Sequence, residues 1–284
     1  MKHIITILAI AFATVTLSSC TKKCDEYGLN CKVKSVLEQS YSAKQKFGEI
    51  DCDICVNLEL LEFNNDRQMT SKSMFYDWGF KPGDDLELRE KEIYKYNDQG
   101  LLIEKDEYNK DGDFTGKEVY KYNDQGLQTD EYSYGSKGDL WYNYHHEYDE
   151  DGNNTLSAWY DKDGSESWKW EKTYDSNHHE LTFVHYEDGK MYDHGEYTWD
   201  GDNLISAKYY NHDSSVEEKT FNESDFFYFS KDENGLDINV SHEKWGNVTY
   251  EYVTFDKKGN WTKRYANDPK TNEVKYITER VITY

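Results

Sequence analysis

The sequence predicts an all-β protein, an antiparallel meander of about 14–18 short strands built from hairpin repeats of about 26 residues. The octapeptide YKYNDQGL occurs twice, from Tyr94 and from Tyr120, which are 26 residues apart. From Gly100 to Gly164 the turn glycines alternate between spacings of 12 and 14 residues. Each repeat is therefore two strands and two turns. A flat sheet of that width is unusual, so we expect a curved open sheet or a barrel-like arch.

The first 19 residues have the features of a secretory signal peptide. Lys2 precedes an apolar run at residues 4–17, which is too short to span a bilayer. The stretch LSSC, which ends at Cys20, resembles the lipobox of bacterial lipoproteins, in which the signal is cut before the cysteine and the cysteine is acylated. We therefore expect Cys20 to carry a lipid anchor. The alternative is an ordinary signal peptide that leaves Cys20 as a thiol.

The anchor predicts a location in the cell envelope, at the outer membrane of a Gram-negative bacterium. Residues 20–31 are predicted to be the lipidated cysteine and its tether, and residues 32–284 a single β-repeat domain. Surface-exported lipoproteins tend to have acidic residues directly after the cysteine, whereas Lys22 and Lys23 come first here. Both the periplasmic and the surface face therefore stay open.

The five cysteines all lie in the first fifth of the chain. Without Cys20 an even number remains, which in an exported protein predicts two disulfides, with three possible pairings. The disulfide candidates are Cys24, Cys31, Cys52 and Cys55. The spacing CDIC also fits half of a zinc site or a redox pair, but the helix start that redox chemistry needs is absent. We expect no metal and no cofactor.

Charge and composition exclude one class of partner. The chain has 33 basic and 56 acidic residues, a net charge of −23, which repels phosphate backbones and argues against nucleic acid. Such a charge is typical of disordered chains, but 26 Tyr, 12 Phe and 8 Trp supply many large groups for a folded core. Only two prolines interrupt the chain, which suits sheets that need every amide.

Two segments before the regular repeats are also predicted to form strands. Within residues 32–50 a helix is the alternative, but the apolar residues at Val33, Leu37 and Tyr41 also fit the alternation of a strand. Residues 56–66 end in FNND, which is a copy of the repeat without its glycine.

The turns have Asn or Asp first, then two polar residues, then Gly. That order predicts a type I turn followed by a residue at positive φ. Because both spacings are even, equivalent residues of successive copies fall on one side of the sheet. Tyr142, Tyr144, His146 and Tyr148 are therefore predicted to share a face, and tyrosines of neighbouring strands to form ladders.

Units of the form Tyr-x-Tyr-[Asn/Asp]-x-x-Gly recur over roughly residues 56–284, including FDKKGNW at 255–261. This pattern resembles the YD repeats of Rhs-type proteins and, more closely, the tyrosine-rich repeat lipoproteins of Bacteroidota. The resemblance implies a strand-and-turn architecture. Rhs-type proteins use much longer arrays to enclose a toxin, which 284 residues cannot do, and the period of 26 residues departs from the shorter YD unit.

Acidic and histidine motifs give no catalytic or metal site. The turns at 149–152 and 161–164 read Asp-x-Asp-Gly, with glycine fourth, whereas a calcium loop of the EF-hand type has glycine sixth. Adjacent strand residues point to opposite faces, so His145 and His146 cannot converge. A second histidine pair, at 178–179, falls in a turn. His185 and His194 could approach each other across a hairpin.

The candidate ligand-binding residues are aromatic and cluster in the middle repeats: Trp141, Tyr144, Trp159, Tyr160, Trp168 and Trp170. Exposed rings beside Asp and Asn suit the faces of sugars. The alternative is that these rings form the core of a thin sheet that has few aliphatic residues.

The sequence as a whole predicts a lipid-anchored envelope protein that is a non-enzymatic binding or scaffold module, with a glycan or an envelope protein as its partner. One alternative is an envelope enzyme such as a glycosidase, and another is a structural or immunity-type protein. An exposed aromatic strip favours glycan binding, a deep cleft with two close carboxylates favours the enzyme, and a filled sheet favours the structural role.

Overall fold

The computed structural model describes residues 29–30, 32–46, 49–75, 87–201, 203–211, 215–220, 230–231, 236–242 and 246–284. Within these ranges the chain forms nineteen β-strands, one of which is only two residues long, and every pairing between them is antiparallel. The predicted all-β antiparallel meander is confirmed. None of these ranges contains a helix long and apolar enough to cross a membrane.

The strands follow one another in chain order. They are β1 Ser35–Lys46, β2 Glu49–Phe63, β3 Met69–Met74, β4 Glu90–Tyr96, β5 Leu102–Asn109, β6 Phe114–Tyr122, β7 Gln128–Gly135, β8 Leu140–Tyr148, β9 Asn154–Asp161, β10 Glu166–Tyr174, β11 Glu180–Glu187, β12 Lys190–Asp200, β13 Asn203–Tyr210, β14 Val216–Thr220, β15 Ser230–Lys231, β16 Asp237–His242, β17 Gly246–Phe255, β18 Trp261–Asn267 and β19 Val274–Thr283. Within the ambiguous segment at 32–50, Ser35–Lys46 forms a strand, as predicted.

The chain divides into two compact units. Unit 1 combines the two ends of the chain, Met1–Glu92 and Phe227–Tyr284, with the short turn Asn109–Asp111. Unit 2 consists of Ile93–Tyr108 and Gly112–Phe226.

In unit 1 the first and last strands are neighbours. β1 pairs with β2 on one side and with β19 on the other. Val36, Leu58, Trp261 and Ile277 are each only 1% exposed and form part of its core. Leu29, at the end of the predicted tether, is also buried, and its carbonyl accepts a hydrogen bond from Arg67 at 2.6 Å.

A charged cluster lies inside unit 1. The Arg280 Nε is 2.6 Å from Glu38 Oε2, and the guanidinium of Arg280 lies 3.6 Å from the centroid of the Trp261 ring. The guanidinium of Arg264 is 4.5 Å from the same ring. Burial alone would raise the pKa of Glu38, but the two arginines outweigh burial and lower it. This carboxylate is therefore ionised and paired inside the protein.

In unit 2 the strands β5 to β14 pair in sequence order, each antiparallel to the next. The predicted turns are present between them and between β4 and β5. Gly100, Gly126 and Gly152 have φ values of 84°, 81° and 84°, which is the left-handed region that only glycine adopts without steric cost. The side-chain oxygen of Asn123 accepts the amides of Gln125 and Leu127, both at 3.0 Å.

Two copies that lack the glycine keep the same turn. His178 takes the glycine position with φ 69°, and Arg67 takes it in the FNND copy with φ 70°. In these turns Asp175 and Asn64 accept the same two backbone amides as Asn123 does. The Asx side chain therefore holds the turn even where the residue at positive φ is not glycine.

Candidate ligand-binding face

One side of the unit 2 sheet collects most of the predicted binding residues. Tyr144 of β8 lies opposite Trp159 of β9, which lies opposite Trp168 of β10. Residues two apart on a strand share a side, so Tyr142 and Trp170 lie there as well. We call this side, which carries Tyr142, Tyr144, Trp159, Trp168 and Trp170, the aromatic face. Its formation confirms the alternation that the even repeat spacing predicts.

The rings on the aromatic face contact one another as a row across three strands. Trp159 stacks on Tyr142, with ring centroids 3.9 Å apart, and on Trp168, at 6.1 Å. The edge of Tyr144 meets Trp168 at 5.3 Å. Trp170 continues the row toward β11, where it stacks on His185 at 4.2 Å. The rings are half-buried, so they pack on each other and still present their outer edges to solvent.

A shallow hollow of about 310 Å³ opens in the aromatic face. It is lined by Tyr144, Asn154, Ser157, Trp168, Trp170 and Lys172. Ser157 Oγ donates to Asn154 Oδ1 at 2.8 Å, and Lys172 Nζ lies 2.7 Å from Glu180 Oε2. These contacts hold polar groups in place beside the two indoles, which is a combination typical of sites that orient a small polar ligand.

A second hollow, of about 330 Å³, adjoins the first across the same two indoles. It is lined by Ser167, Trp168, Trp170, His185, Glu187 and Asp188. The first hollow thus has one charged lining residue, Lys172, whereas the second has two carboxylates, Glu187 and Asp188.

Trp141 is the most exposed of the predicted binding residues, with 51% of its surface accessible. Ser133 pairs with Tyr142 and Tyr134 pairs with Leu140, so Trp141 is the extra residue of a β-bulge. Its indole lies on Gly135, and its Nε1 donates to Asp139 Oδ2 at 3.0 Å.

The structure places four of the predicted binding residues side by side, and it places one on the opposite side of the sheet. Tyr144, Trp159, Trp168 and Trp170 lie side by side on the aromatic face, and Trp141 adjoins it. Tyr160 follows Trp159 on β9 and pairs with Asn143, so it points to the opposite side of the sheet. Tyr160 is therefore not part of the aromatic face, because successive strand residues alternate between faces, and a binding role for it stays a prediction.

Sequence reasoning missed the polar residues of the hollow. Ser157 and Lys172 are two residues from Trp159 and Trp170, so the same alternation places them on the aromatic face. A search for residues at even spacing from each tryptophan would have found them.

A pair of carboxylates next to the aromatic row was also missed. Tyr142 donates to Glu131 Oε1 at 3.2 Å, and Tyr120 donates to Glu118, which also pairs with Lys105 at 2.8 Å. Burial and the neighbouring charge of Glu118 raise the pKa of Glu131. Burial, together with Glu118, raises the pKa of the Tyr120 hydroxyl as well.

The histidines have local partners. His145 contacts Asp130 at 3.0 Å and His146 contacts Ser157 at 3.0 Å, on opposite sides of the sheet as predicted. His185 pairs with Asp193, whereas His194 pairs with Val184. The predicted approach of His185 and His194 is wrong, because an offset of one residue puts them on opposite faces.

Other predicted residues fall outside this face. The signal peptide, Cys20, Cys24 and Cys31 lie outside the described residues. Cys52 and Cys55 lie on β2 of unit 1, opposite Ala43 and Tyr41 of β1. Lipidation and disulfide pairing stay predictions. Within the described ranges, no group of three or more His, Cys, Asp or Glu residues could hold a metal ion.

Comparison with known proteins yields no family model and no curated protein that matches this chain. Among solved structures the chain is similar to a porin-like protein from Bacteroides uniformis, with 14% identity and a TM-score of 0.39 over 88% of this chain and 97% of that one. A porin-like protein from Bacteroides vulgatus gives 11% identity and a TM-score of 0.20 over the same shares. The complex TcdB2-TccC3 gives 14% identity and a TM-score of 0.31 over 85% of this chain and 15% of that one. The resemblance to tyrosine-rich repeat lipoproteins stays a prediction.

Proposed function

We propose that this protein is a non-enzymatic, lipid-anchored module of the bacterial cell envelope, and that its aromatic face binds carbohydrate. The observation that carries the proposal is the hollow in which Tyr144, Trp168 and Trp170 surround the polar side chains of Ser157 and Lys172. Sugars present apolar C–H faces and hydroxyl edges, so they need ring surface and hydrogen-bonding groups side by side.

The same geometry favours a glycan over an envelope protein as the partner. The hollow is shallow and small, and its polar groups come from Asn154, Ser157 and Lys172. A stable protein partner needs an interface that buries about 1,600 Å² in total, with a large apolar centre. The rings of the aromatic face are instead half-buried against each other.

The envelope location rests on the N-terminal sequence. The stretch LSSC ending at Cys20 and the apolar run before it support cleavage and acylation. Replacing Cys20 with serine is expected to abolish the incorporation of labelled fatty acid and to release the protein from the membrane fraction. Protease treatment of intact cells then separates the two faces, because only a surface-exposed protein is degraded.

A glycan array with the mature chain, purified in detergent, tests the binding function. The wild type is expected to bind a subset of uncharged glycans, and Trp168→Ala is expected to lose them, since Trp168 lines both hollows. Tyr160→Ala is the matched control, because Tyr160 is aromatic, lies on the neighbouring strand and points to the opposite side. A blank array, or equal binding by both variants, would contradict the proposal and favour a structural role.

A glycosidase is the second candidate, and the Glu118–Glu131 pair favours it. A hydrolase of this kind uses one protonated and one ionised carboxyl. Burial and the neighbouring Glu118 raise the pKa of Glu131, and Glu118 forms an ion pair with Lys105 and accepts a hydrogen bond from Tyr120. A glycosidase is expected to cleave the glycans that it binds, and Glu131→Gln is expected to abolish the cleavage while binding is kept. Intact glycans after prolonged incubation would exclude it.

A further inference from the structure

One copy of the repeat departs from its neighbours at two positions that touch each other. The bulge residue is Thr115 in the preceding copy, Trp141 here and Ser167 in the next, each 26 residues apart. The residue that begins the turn changes in parallel, since Asn109, Gly135 and Asp161 occupy the equivalent positions.

The two changes together place an indole on the sheet. A Cβ built on Gly135 would lie 2.7, 2.8 and 2.9 Å from Nε1, Cε2 and Cζ2 of Trp141. Three ring atoms at nearly equal distances mean that the indole lies flat over the glycine. In the next copy, by contrast, a small polar pair fills the same space, with Ser167 Oγ donating to Asp161 Oδ2 at 2.5 Å.

The flat indole belongs to the aromatic face. Gly135 and Ser133 are two residues apart on β7 and share a side, and Ser133 pairs with Tyr142. The indole occupies the place of the missing Gly135 side chain, so Trp141 lies on the same side as Tyr142. One face of this ring covers the backbone, and the other is open to solvent, consistent with the 51% exposure of the residue.

Trp141 therefore adds an exposed ring to the aromatic face, next to the row. The order Trp141, Tyr142, Trp159, Trp168 leads from the flat indole to the hollow. Gly135 is on β7 and Trp168 on β10, three strand spacings apart, which is about 14 Å. This distance is longer than one sugar ring, so a single sugar cannot contact both.

We propose that Trp141 is a second contact for the ligand of the hollow, and that this ligand is an uncharged linear oligosaccharide of several units. The inference rests on the proposed function and adds the length and the charge of the ligand. An acidic sugar is disfavoured because Glu118 and Glu131 adjoin Tyr142 on this path, and because the chain has a net charge of −23. One further ring contact of this kind is expected to change the affinity roughly tenfold.

Calorimetric titration with two oligosaccharide series tests the inference. The probes are neutral gluco- and manno-oligosaccharides, each as a disaccharide and as a hexasaccharide, with a hexasaccharide of uronic acids as the charged counterpart. The mature wild-type chain is expected to bind a neutral hexasaccharide at least tenfold more tightly than the corresponding disaccharide, and to bind the uronic acid hexasaccharide more weakly than the neutral ones.

Two substitutions and one control locate the effect. Trp141→Ala is expected to weaken hexasaccharide binding roughly tenfold and to leave disaccharide binding unchanged. Gly135→Ala keeps the tryptophan but displaces the indole, and we expect the same loss. Because Trp141 is exposed, its replacement leaves the core intact, and the atoms that the Cβ of Gly135→Ala meets first are those of the exposed Trp141 ring. Thr115→Ala, at the equivalent bulge position, is the matched control and is expected to have no effect.

The outcomes separate the inference from the proposed function. The inference is contradicted if the wild-type affinity does not depend on the length of the oligosaccharide, or if Trp141→Ala lowers the affinity equally for both lengths. In either case Trp168→Ala still tests the hollow. Stronger binding of the uronic acid hexasaccharide than of the neutral hexasaccharides contradicts the proposal that the ligand is uncharged. Absence of binding by the wild type to any probe contradicts both.

Discussion

At the scale of residues, the tyrosine directly before a turn forms a hydrogen bond across the open end of a hairpin. The Tyr122, Tyr148 and Tyr174 hydroxyls donate to the carbonyls of Leu102, Gln128 and Asn154, at 2.6, 2.8 and 2.9 Å. In each case the tyrosine ends one strand and the carbonyl begins its partner strand. Burial raises the pKa of all three phenols, so they remain donors over the ordinary pH range.

Removal of one such hydroxyl is expected to destabilise the protein. Tyr148→Phe keeps the ring but leaves the Gln128 carbonyl without this donor, so the free energy of unfolding should fall by about 1 kcal/mol. Tyr132→Phe is the control, since its hydroxyl is 3.4 Å from Asp130 Oδ1, a much weaker contact. Denaturant unfolding of both variants checks this, and equal stabilities would argue against the role of the tyrosine.

The residues that follow this tyrosine stabilise the turn. The Asx residue accepts two backbone amides, and the glycine takes positive φ. Sequence alone predicted this because turn chemistry is local. It could not predict that His178 would take the glycine position, since a histidine at φ 69° is uncommon and depends on the turn that surrounds it.

At the scale of elements, the β-bulges decide which residues share a face. Alternation from Tyr142 places Trp141 on the opposite side, yet the extra residue of the bulge shifts the register and brings it to the aromatic face. The sequence has no clear signal for a bulge at this position, so the side of the sheet on which Trp141 lies had to be taken from the structure. Tyr144, Trp159 and Trp168 are themselves paired across the strands and are not bulge residues, so simple alternation was enough for them.

The turn carboxylates give the hairpins a pH dependence. Hydrogen bonds from the Asn153 side chain and from the turn amides lower the pKa of Asp149. A lowered pKa in the folded state means that the contribution to stability is complete above the ordinary pKa and is lost as the pH falls through the lowered value.

Asp149→Asn tests this, because Asn123 holds the equivalent turn in the preceding copy with the same two backbone contacts. The variant is expected to fold normally at neutral pH and to lose less thermal stability than the wild type between pH 5 and pH 2. The measurement is Tm as a function of pH. Parallel curves for the two proteins would show that the carboxylate makes no such contribution.

At the scale of the whole molecule, unit 1 depends on contacts between the two ends of the chain. Glu38 and Arg280 are separated by 242 residues and pair across β1 and β19. Their side chains are only 15% and 8% exposed. The sequence could not predict this pairing, because the contact is set by the closure of β1 on β19 and not by any local pattern.

Breaking this pair should be costly. Glu38→Gln leaves Arg280 and Arg264 without their shared carboxylate, and the loss is expected to be about 3 kcal/mol or more. Glu273→Gln is the matched control, since Glu273 pairs with Lys275 on the surface and should contribute under about 1 kcal/mol. Unfolding of both variants at pH 7 measures the difference. A loss in Glu38→Gln as small as in the control would contradict this account of unit 1.

The most direct test of carbohydrate binding by the aromatic face uses the indole N–H signals of the tryptophans in an NMR titration of the mature chain with the neutral hexasaccharides. The signals of Trp141, Trp159, Trp168 and Trp170 are expected to shift together. That of Trp261, which is 1% exposed in the core of unit 1, is expected to stay in place. No shift at saturating hexasaccharide, or shifts confined to residues outside the aromatic face, would contradict the claim.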